Sequence, residues 1–325
     1  MFSAVARIFR TPDLRRKLGF TLGIIAIYRL GAHVPAPFVD YPNVQACIAG
    51  QASGASGLLS LVNLFSGGAL LQLSIFALGV MPYITATIIS QLLRVVIPHF
   101  EALHQEGQAG QSKLTQYTRY LTIALALLQS TTLITVARSG QLFGVTGVPE
   151  CEQVLTNSAW WAQVLMIITM TAGTGLIMWF AELVTERGIG NGMSILIFTS
   201  IAATFPGAMA AIWQSRGFEV FLLVLAVGIV VMALVVFVEQ SQRRIPVQYA
   251  KRMVGRRTFG GNNTYIPIKV NMAGVVPVIF ASSLLYLPAL LAQFNQPAAG
   301  EKPAEWIVFI QNYLTKGDHP LYMLL

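Results

Sequence analysis

LLSLVNLFSGGALLQLSIFALGVMPYITATIISQLL, residues 58–93, joins a helix too short to cross a bilayer to an apolar run long enough to do so. In 58–66 the polar side chains Ser60, Asn63 and Ser66 recur at every third position, a helical stripe, and larger apolar residues such as Leu59, Val62 and Phe65 cover the remainder. Those nine residues rise only roughly 14 Å, whereas a hydrocarbon core of about 30 Å needs some 20 residues. The piece is therefore expected to enter from one side and stop inside protein. Gly67 and Gly68 break it. Residues 70–93 then run for 24 positions without a charge, with Pro82 set to bend a spanning helix near its middle. A re-entrant half-helix feeding a full span is a stopper beside a passage. A helix lying on the outer surface is the other reading of 58–66.

Composition places this stretch in a polytopic membrane protein. Of 325 residues 55% are hydrophobic and only 10% are charged, with a mean hydropathy of +0.64. A soluble domain carries about 25% charged residues. The amino end has a basic region but no A-x-A-like cleavage site, so no removable leader is expected. Cys47 and Cys151 form no metal or redox motif. Both fall in expected outer loops, where a disulfide is open to them, but each reads first as a small apolar residue.

In chain order, a basic amino end (1–17) leads to a first span over 18–35 that carries Arg29. An arginine at that depth is a functional candidate. Its place near the far end favours snorkelling to the headgroups. A Gly, Ser and Ala-rich loop follows (36–57), then the second span, a polar connection (97–116), and uncharged runs at 120–137 and 160–180. A tight turn (182–192) leads to a fifth span over 193–213, and 221–238 is a sixth. A seventh covers 271–294, and 320–325 begins an eighth after an external loop. The fold class is thus all-α, with a first half at 18–213 and the start of a second half at 214–294, followed by 295–325.

With the amino end in the cytoplasm, sixteen of the 21 lysines and arginines lie on that side, which fixes the expected orientation. One cytoplasmic loop, 239–270, has far more cation than orientation requires: Arg243, Arg244, Lys251, Arg252, Arg256, Arg257 and Lys269 against one acid. Membrane lipids with anionic headgroups are one partner for it. A cytosolic partner rich in phosphate, such as ribosomal RNA, is the other. The β-branched TYIPIKV (264–270) suggests a projecting hairpin, which suits a soluble partner better. Enzyme and cofactor motifs are absent: no G-x-x-x-x-G-K-[ST], no H-E-x-x-H, four scattered histidines. RGIGNG (187–192) follows a membrane helix rather than a strand, so it is not read as a dinucleotide loop. A secondary transporter with a discontinuous midplane helix remains as a second reading, weakened by the lack of acids mid-span.

Four further stretches carry a family resemblance. SIFALGVMPYITATIISQLL (74–93), TERGIGNGMSILIF (185–198), RRIPVQYAKR (243–252) and IPIKVNMAGVVPVIFASS (266–283) resemble SecY, the bacterial protein-conducting channel, and NLFSGGAL (63–70) fits its plug region. The family has ten spans in two inverted halves, so this chain resembles the first seven and the start of the next. The resemblance implies passage of unfolded secretory polypeptides across the plasma membrane and lateral release of membrane segments, without catalysis or cofactor. It implies SecE- and SecG-like subunits, the SecA motor ATPase and the ribosome as partners. It further implies a pore ring at Val80, Ile84, Met193, Ile197 and Ile279, and a plug over 58–68 (Leu59, Val62, Asn63, Phe65, Gly67, Gly68). A lateral gate is implied with polar members Thr85, Gln129 and Asn271, and partner contacts at Arg243, Arg244, Lys251, Arg252, Arg256 and Arg257.

Overall fold

The computed structural model describes residues 11–50, 63, 66–138, 154–156, 159–247, 252–254, 257–259, 264–271 and 308. They belong to two compact units, one comprising Met1–Pro206 with Phe280–Leu325 and the other Gly207–Ile279.

In the first unit, α1 (Pro12–His33) starts with proline in its first turn, where no intrahelical donor is lost, and Asp13 sits at the positive end of the helix. Its 22 residues rise about 33 Å. A short α2 (Tyr41–Gly50) lies within the stretch expected to be an irregular loop. Its start is held by Asp40, whose carboxylate accepts from Asn43 Nδ2 at 3.3 Å and whose carbonyl accepts from Val44 N at 3.1 Å. Then come α3 (Met81–Val96), α4 (Pro98–Gln105), α5 (Gln108–Arg138) and α6 (Trp160–Arg187). α5 packs between α3 and α6, and α1 against α6.

The expected continuous second span is corrected here. Residues 67–80 form successive turns, with i to i+3 bonds such as Leu73 N to Leu70 O at 3.0 Å and Gly79 N to Phe76 O at 2.9 Å. Leu73 and Gly79 both take positive φ (46° and 58°), which no helix tolerates. Pro82 lies in the first turn of α3, so it starts the helix rather than bending it. The polar connection at 97–116 is largely helical, in α4 and the first turns of α5.

The turns are buried against the exit of α1. Ala36 N donates to Leu73 O and Ile75 N to Val34 O, both at 3.0 Å, in a short antiparallel bridge of Pro35 with Ser74. A second bridge joins Val39 to Leu155. Leu70, Leu73, Ala77 and Leu78 pack there with Val44, Cys47, Ile134, Val154, Met166 and Met170 into one apolar cluster. Cys47 is disulfide-bonded, and the sequence offers only Cys151 as its mate. The reading of each cysteine as a mere small apolar residue is therefore wrong for Cys47. The cap formed after α1 is thus tied to the α5–α6 connection.

α7 (Gly192–Gln240) would reach roughly 73 Å if straight, over twice a bilayer core. It breaks at Gly217 (φ 83°, ψ 173°), a conformation open almost only to glycine. The break falls between the expected fifth and sixth spans. Within the second unit, Leu223, Val230, Leu234 and Phe237 are all exposed, so the helix is apolar on every side, as a lipid-facing helix is. Among the described residues α5, α6 and α7 are long and apolar enough to cross a membrane, with a fourth span if α3 and α4, bent by 96°, count as one. The seventh span and the start of the eighth lie outside the described residues.

Candidate functional site

The site begins where the stopper was expected. Leu59, Val62 and Phe65 lie outside the described residues, but Asn63 and 66–68 show what the polar stripe does. Asn63 O accepts from Gly68 N and from Ser66 Oγ, both at 3.0 Å. Asn63 Oδ1 accepts from Leu71 N at 3.3 Å, and Ser66 Oγ from Leu70 N at 3.1 Å. Within an apolar surround these bonds replace those that water would supply. Gly67 (φ 70°) and Gly68 (φ 88°) supply the left-handed backbone that reverses the chain.

Arg29 is corrected from a snorkelling residue to a contact of this turn. Its Nη1 donates to the Gly67 carbonyl at 3.2 Å. Beside it the fully buried Tyr28 hydroxyl shares a hydrogen bond of 2.8 Å with Ser200 Oγ of α7. A charge inside an expected span was a signal for Arg29, but nothing in the chain order announced Tyr28 with Ser200.

Of the expected ring, Val80 and Ile84 are buried, 2% and 5% exposed, one helical turn apart at the start of α3. Met193 and Ile197 are half-buried on the first turns of α7. Asn191 caps that helix, its Oδ1 accepting from Met193 N at 3.0 Å, and Thr185 Oγ1 accepts from Gly192 N at 2.9 Å. RGIGNG is thus a tight interhelical turn. Ile279 lies outside the described residues.

The polar residues expected at a lateral gate differ in their surroundings. Thr85 Oγ1 donates to Met81 O of its own helix at 3.0 Å. Gln129 is 4% exposed on α5. In the second unit, Asn271 Nδ2 donates to Glu239 Oε2 at 3.3 Å, closing the base of the basic loop. At the end of the first unit's helices expected to face the cytoplasm, Arg119 forks onto Glu182, Nε to Oε1 at 2.9 Å and Nη2 to Oε2 at 2.6 Å, fastening α5 to α6.

The basic loop is a hairpin arm. β1 (Gln242–Val247) pairs antiparallel with β4 (Thr264–Lys269), and β2 (Arg252–Val254) pairs antiparallel with β3 (Arg257–Phe259). Arg243 and Arg244 are exposed on β1, and the Arg244 guanidinium lies 4.8 Å from the Tyr265 ring centre. Facing positions put Arg243 beside Ile245, Ile266 and Ile268 on one side and Arg244 with Tyr265 on the other. Arg252 and Arg257 lie on the strands nearer the tip, while Lys251 and Arg256 fall outside the described residues.

The sequence profile of the SecY family matches residues 74–325. The protein translocase subunit SecY of Micrococcus luteus is 59% identical over 326 residues, covering 100% of this chain and 73% of that protein. That of Streptomyces galbus is 61% identical over 328 residues, with the same shares. Among solved structures, the chain is similar to a SecY whose plug domain stabilises the closed state of the translocation channel and maintains a membrane seal (TM-score 0.54, 19% identity, 86% of this chain and 58% of that one). It is also similar to Sec61 in the canine ribosome–channel complex from the endoplasmic reticulum (TM-score 0.57, 17% identity, 88% and 61%). The chain therefore spans less than two thirds of those solved chains. Matched by the family profile over residues 74–325 and by relatives at about three fifths identity from end to end, this chain belongs to the SecY family.

Proposed function

We propose that the protein is a protein-conducting channel of the bacterial plasma membrane, with its amino end in the cytoplasm, passing unfolded polypeptides across and releasing apolar segments into lipid. The observation that carries this reading is the identity of 59% over the whole chain to a protein translocase subunit SecY. The geometry supports it in three places. A membrane segment is interrupted by buried turns at 67–80, apolar Val80 and Ile84 lie just beyond them, and a cationic arm projects with its own ladder. Val80, Ile84, Met193, Ile197 and Ile279 form the ring, which excludes ions by dewetting without a charge. Residues 58–68 plug it, and Thr85, Gln129 and Asn271 belong to the lateral gate. The chain does no covalent chemistry.

Energy comes from a partner, the SecA motor or a translating ribosome, both docking on the basic arm, and SecE- and SecG-like subunits brace the channel. Ribosome docking is supported by the likeness to Sec61 in a ribosome–channel complex and by the arginines of the arm. A secondary transporter finds no support among the relatives. The test is reconstitution of the full-length protein with SecE- and SecG-like subunits in vesicles, with a motor ATPase, ATP and a labelled secretory precursor. Protease-protected precursor is the expected result. Protection no greater than in protein-free vesicles overturns the reading.

A further inference from the structure

We infer that Arg29 is a positioning residue of the resting channel, a latch on α1 that holds the backbone at Gly67. The inference rests on the channel reading above and adds to it a residue outside the ring, plug and gate.

Its origin is rigid. Tyr28, one position earlier, is fully buried, hydrogen-bonded to Ser200 and stacked on Phe76 with ring centres 5.9 Å apart. Gly31 lies under the same Phe76 ring, which leaves no room there for a Cβ. α1 is thus clamped on both sides of Arg29, and its guanidinium starts from a fixed point.

Its target is equally confined. A Cβ on Gly67 would lie 2.8 Å from Arg29 Nη1 and 3.2 Å from the Ser200 backbone. α1, the turn after Ser66 and α7 therefore meet closely at Gly67, where a side chain would crowd the Arg29 guanidinium, and its φ of 70° also favours glycine. The neighbouring amides of Gly68, Leu70 and Leu71 bond to Asn63 and Ser66, while the Gly67 carbonyl accepts from Arg29. The turn is internally bonded and Arg29 ties it to the helix wall.

The chemistry of the bond suits a latch. The two ion pairs among the described residues are Lys113–Glu106 and Arg119–Glu182, so Arg29 holds a neutral carbonyl rather than a carboxylate. A guanidinium on a carbonyl is weaker than the forked pair at Arg119. On release it strands no buried counter-charge, and the long side chain can carry its cation to water or headgroups. The contact holds the turn at rest and yields to a passing chain.

The experiment uses the full-length protein in lipid, reading hydrogen exchange at the amides of Gly68, Leu70 and Leu71 beside resting ion conductance in planar bilayers. Arg29→Met is expected to speed exchange and raise conductance by about tenfold, the loss of one charge-assisted bond. Arg29→Lys keeps the cation and one donor and is expected to restore both to within about threefold. Gly67→Ala leaves Arg29 in place but crowds its contact, and is expected to act like Arg29→Met. Unchanged exchange in both Arg29→Met and Gly67→Ala overturns the inference, as does a Lys variant no better than the Met one. Faster exchange with unchanged conductance overturns the role in the resting channel. If the wild-type protein carries no precursor, the channel reading fails by that assay, while exchange still decides whether Arg29 holds Gly67.

Discussion

The turns at 67–80 and the arm at 242–269 both leave the helical pattern, and they solve the same backbone problem in different ways. The turns at 67–80 close some bonds within themselves, such as Leu73 N to Leu70 O, but also draw on neighbours: Ala36 and Val34 at one bridge, Arg29 at Gly67, Asn63 at Gly68 and Leu71. The arm at 242–269 satisfies its ladder internally, and β1 and β4 are exposed over nearly their whole length. The contrast follows from the surroundings. Away from water an unpaired amide costs several kcal/mol, so irregular backbone must be bonded by the elements around it and becomes coupled to them. On a wet arm the strands need nothing from outside, which leaves their side chains free to meet a partner. Substitution near the turns should therefore disturb the fold, and substitution on the arm should disturb binding alone.

The largest effect expected on the coupled side is at the cap. The Cys47 disulfide joins two positions 104 residues apart in sequence, if Cys151 is the mate, and closing so long a loop restricts the unfolded chain strongly. Cys47→Ser is expected to lower the stability of the first unit by about 2–4 kcal/mol. Thermal unfolding in detergent, with and without reductant, measures it: the wild type should fall to the level of the variant when reduced. A wild-type melting point indifferent to reductant would mean the cap is held by its apolar cluster alone.

On the self-contained side, Arg256→Glu with Arg257→Glu should weaken binding to ribosomes by about a hundredfold at low salt, if the arm engages phosphates. The same variant should melt within about 0.5 kcal/mol of the wild type, because charges that serve a soluble partner add little to stability. Binding titrations across a salt series check both the affinity and its slope. Affinity unchanged at low salt would remove the arm from the contact, and a large loss of stability would erase the contrast between the two regions.

The contrast also explains what could be read from the chain alone. Long uncharged runs announced α5 and α6, because a spanning helix needs only length and apolar cover. α5 nevertheless starts at Gln108 rather than near Tyr120, since QAGQSKLTQYTR holds no proline and its polar residues can continue the helix into water. TYIPIKV was legible as a strand for the same local reason, and its partner β1 followed as the other side of a hairpin. The turns were not legible. Their sequence LLQLSIFALGV is as apolar as any span, and only the positive φ at Leu73 and Gly79, imposed by packing against α1, separates them from helix. Asn63 and Ser66 were visible as a polar stripe, but their use as acceptors for a turn four to eight residues on depends on how the chain folds back. Gly217 was legible only as a gap between two apolar runs, and Cys47 only as one of two cysteines.

The smallest effect expected, and the sharpest probe of where coupling ends, is at the proposed gate. Thr85 spends its hydroxyl on its own helix and Asn271 bonds Glu239, so Gln129, buried on α5, is the polar group left to test the α3–α5 contact. Hydrogen bonds between membrane helices average about 0.6 kcal/mol, close to the insertion free energy that a single leucine contributes at a helix centre. Gln129→Leu is therefore expected to shift the hydrophobicity at which a passenger segment enters lipid by about one leucine in a graded Leu/Ala series. The direction depends on which state the amide favours. If it fastens α3 to α5 in the closed gate, the variant opens more readily and accepts segments one leucine poorer. If it instead offers a passing polar segment a partner, the variant demands one leucine more. A threshold that does not move would show that Gln129 bonds within α5, as Thr85 does within α3, and that the seam between these helices is held by apolar packing alone.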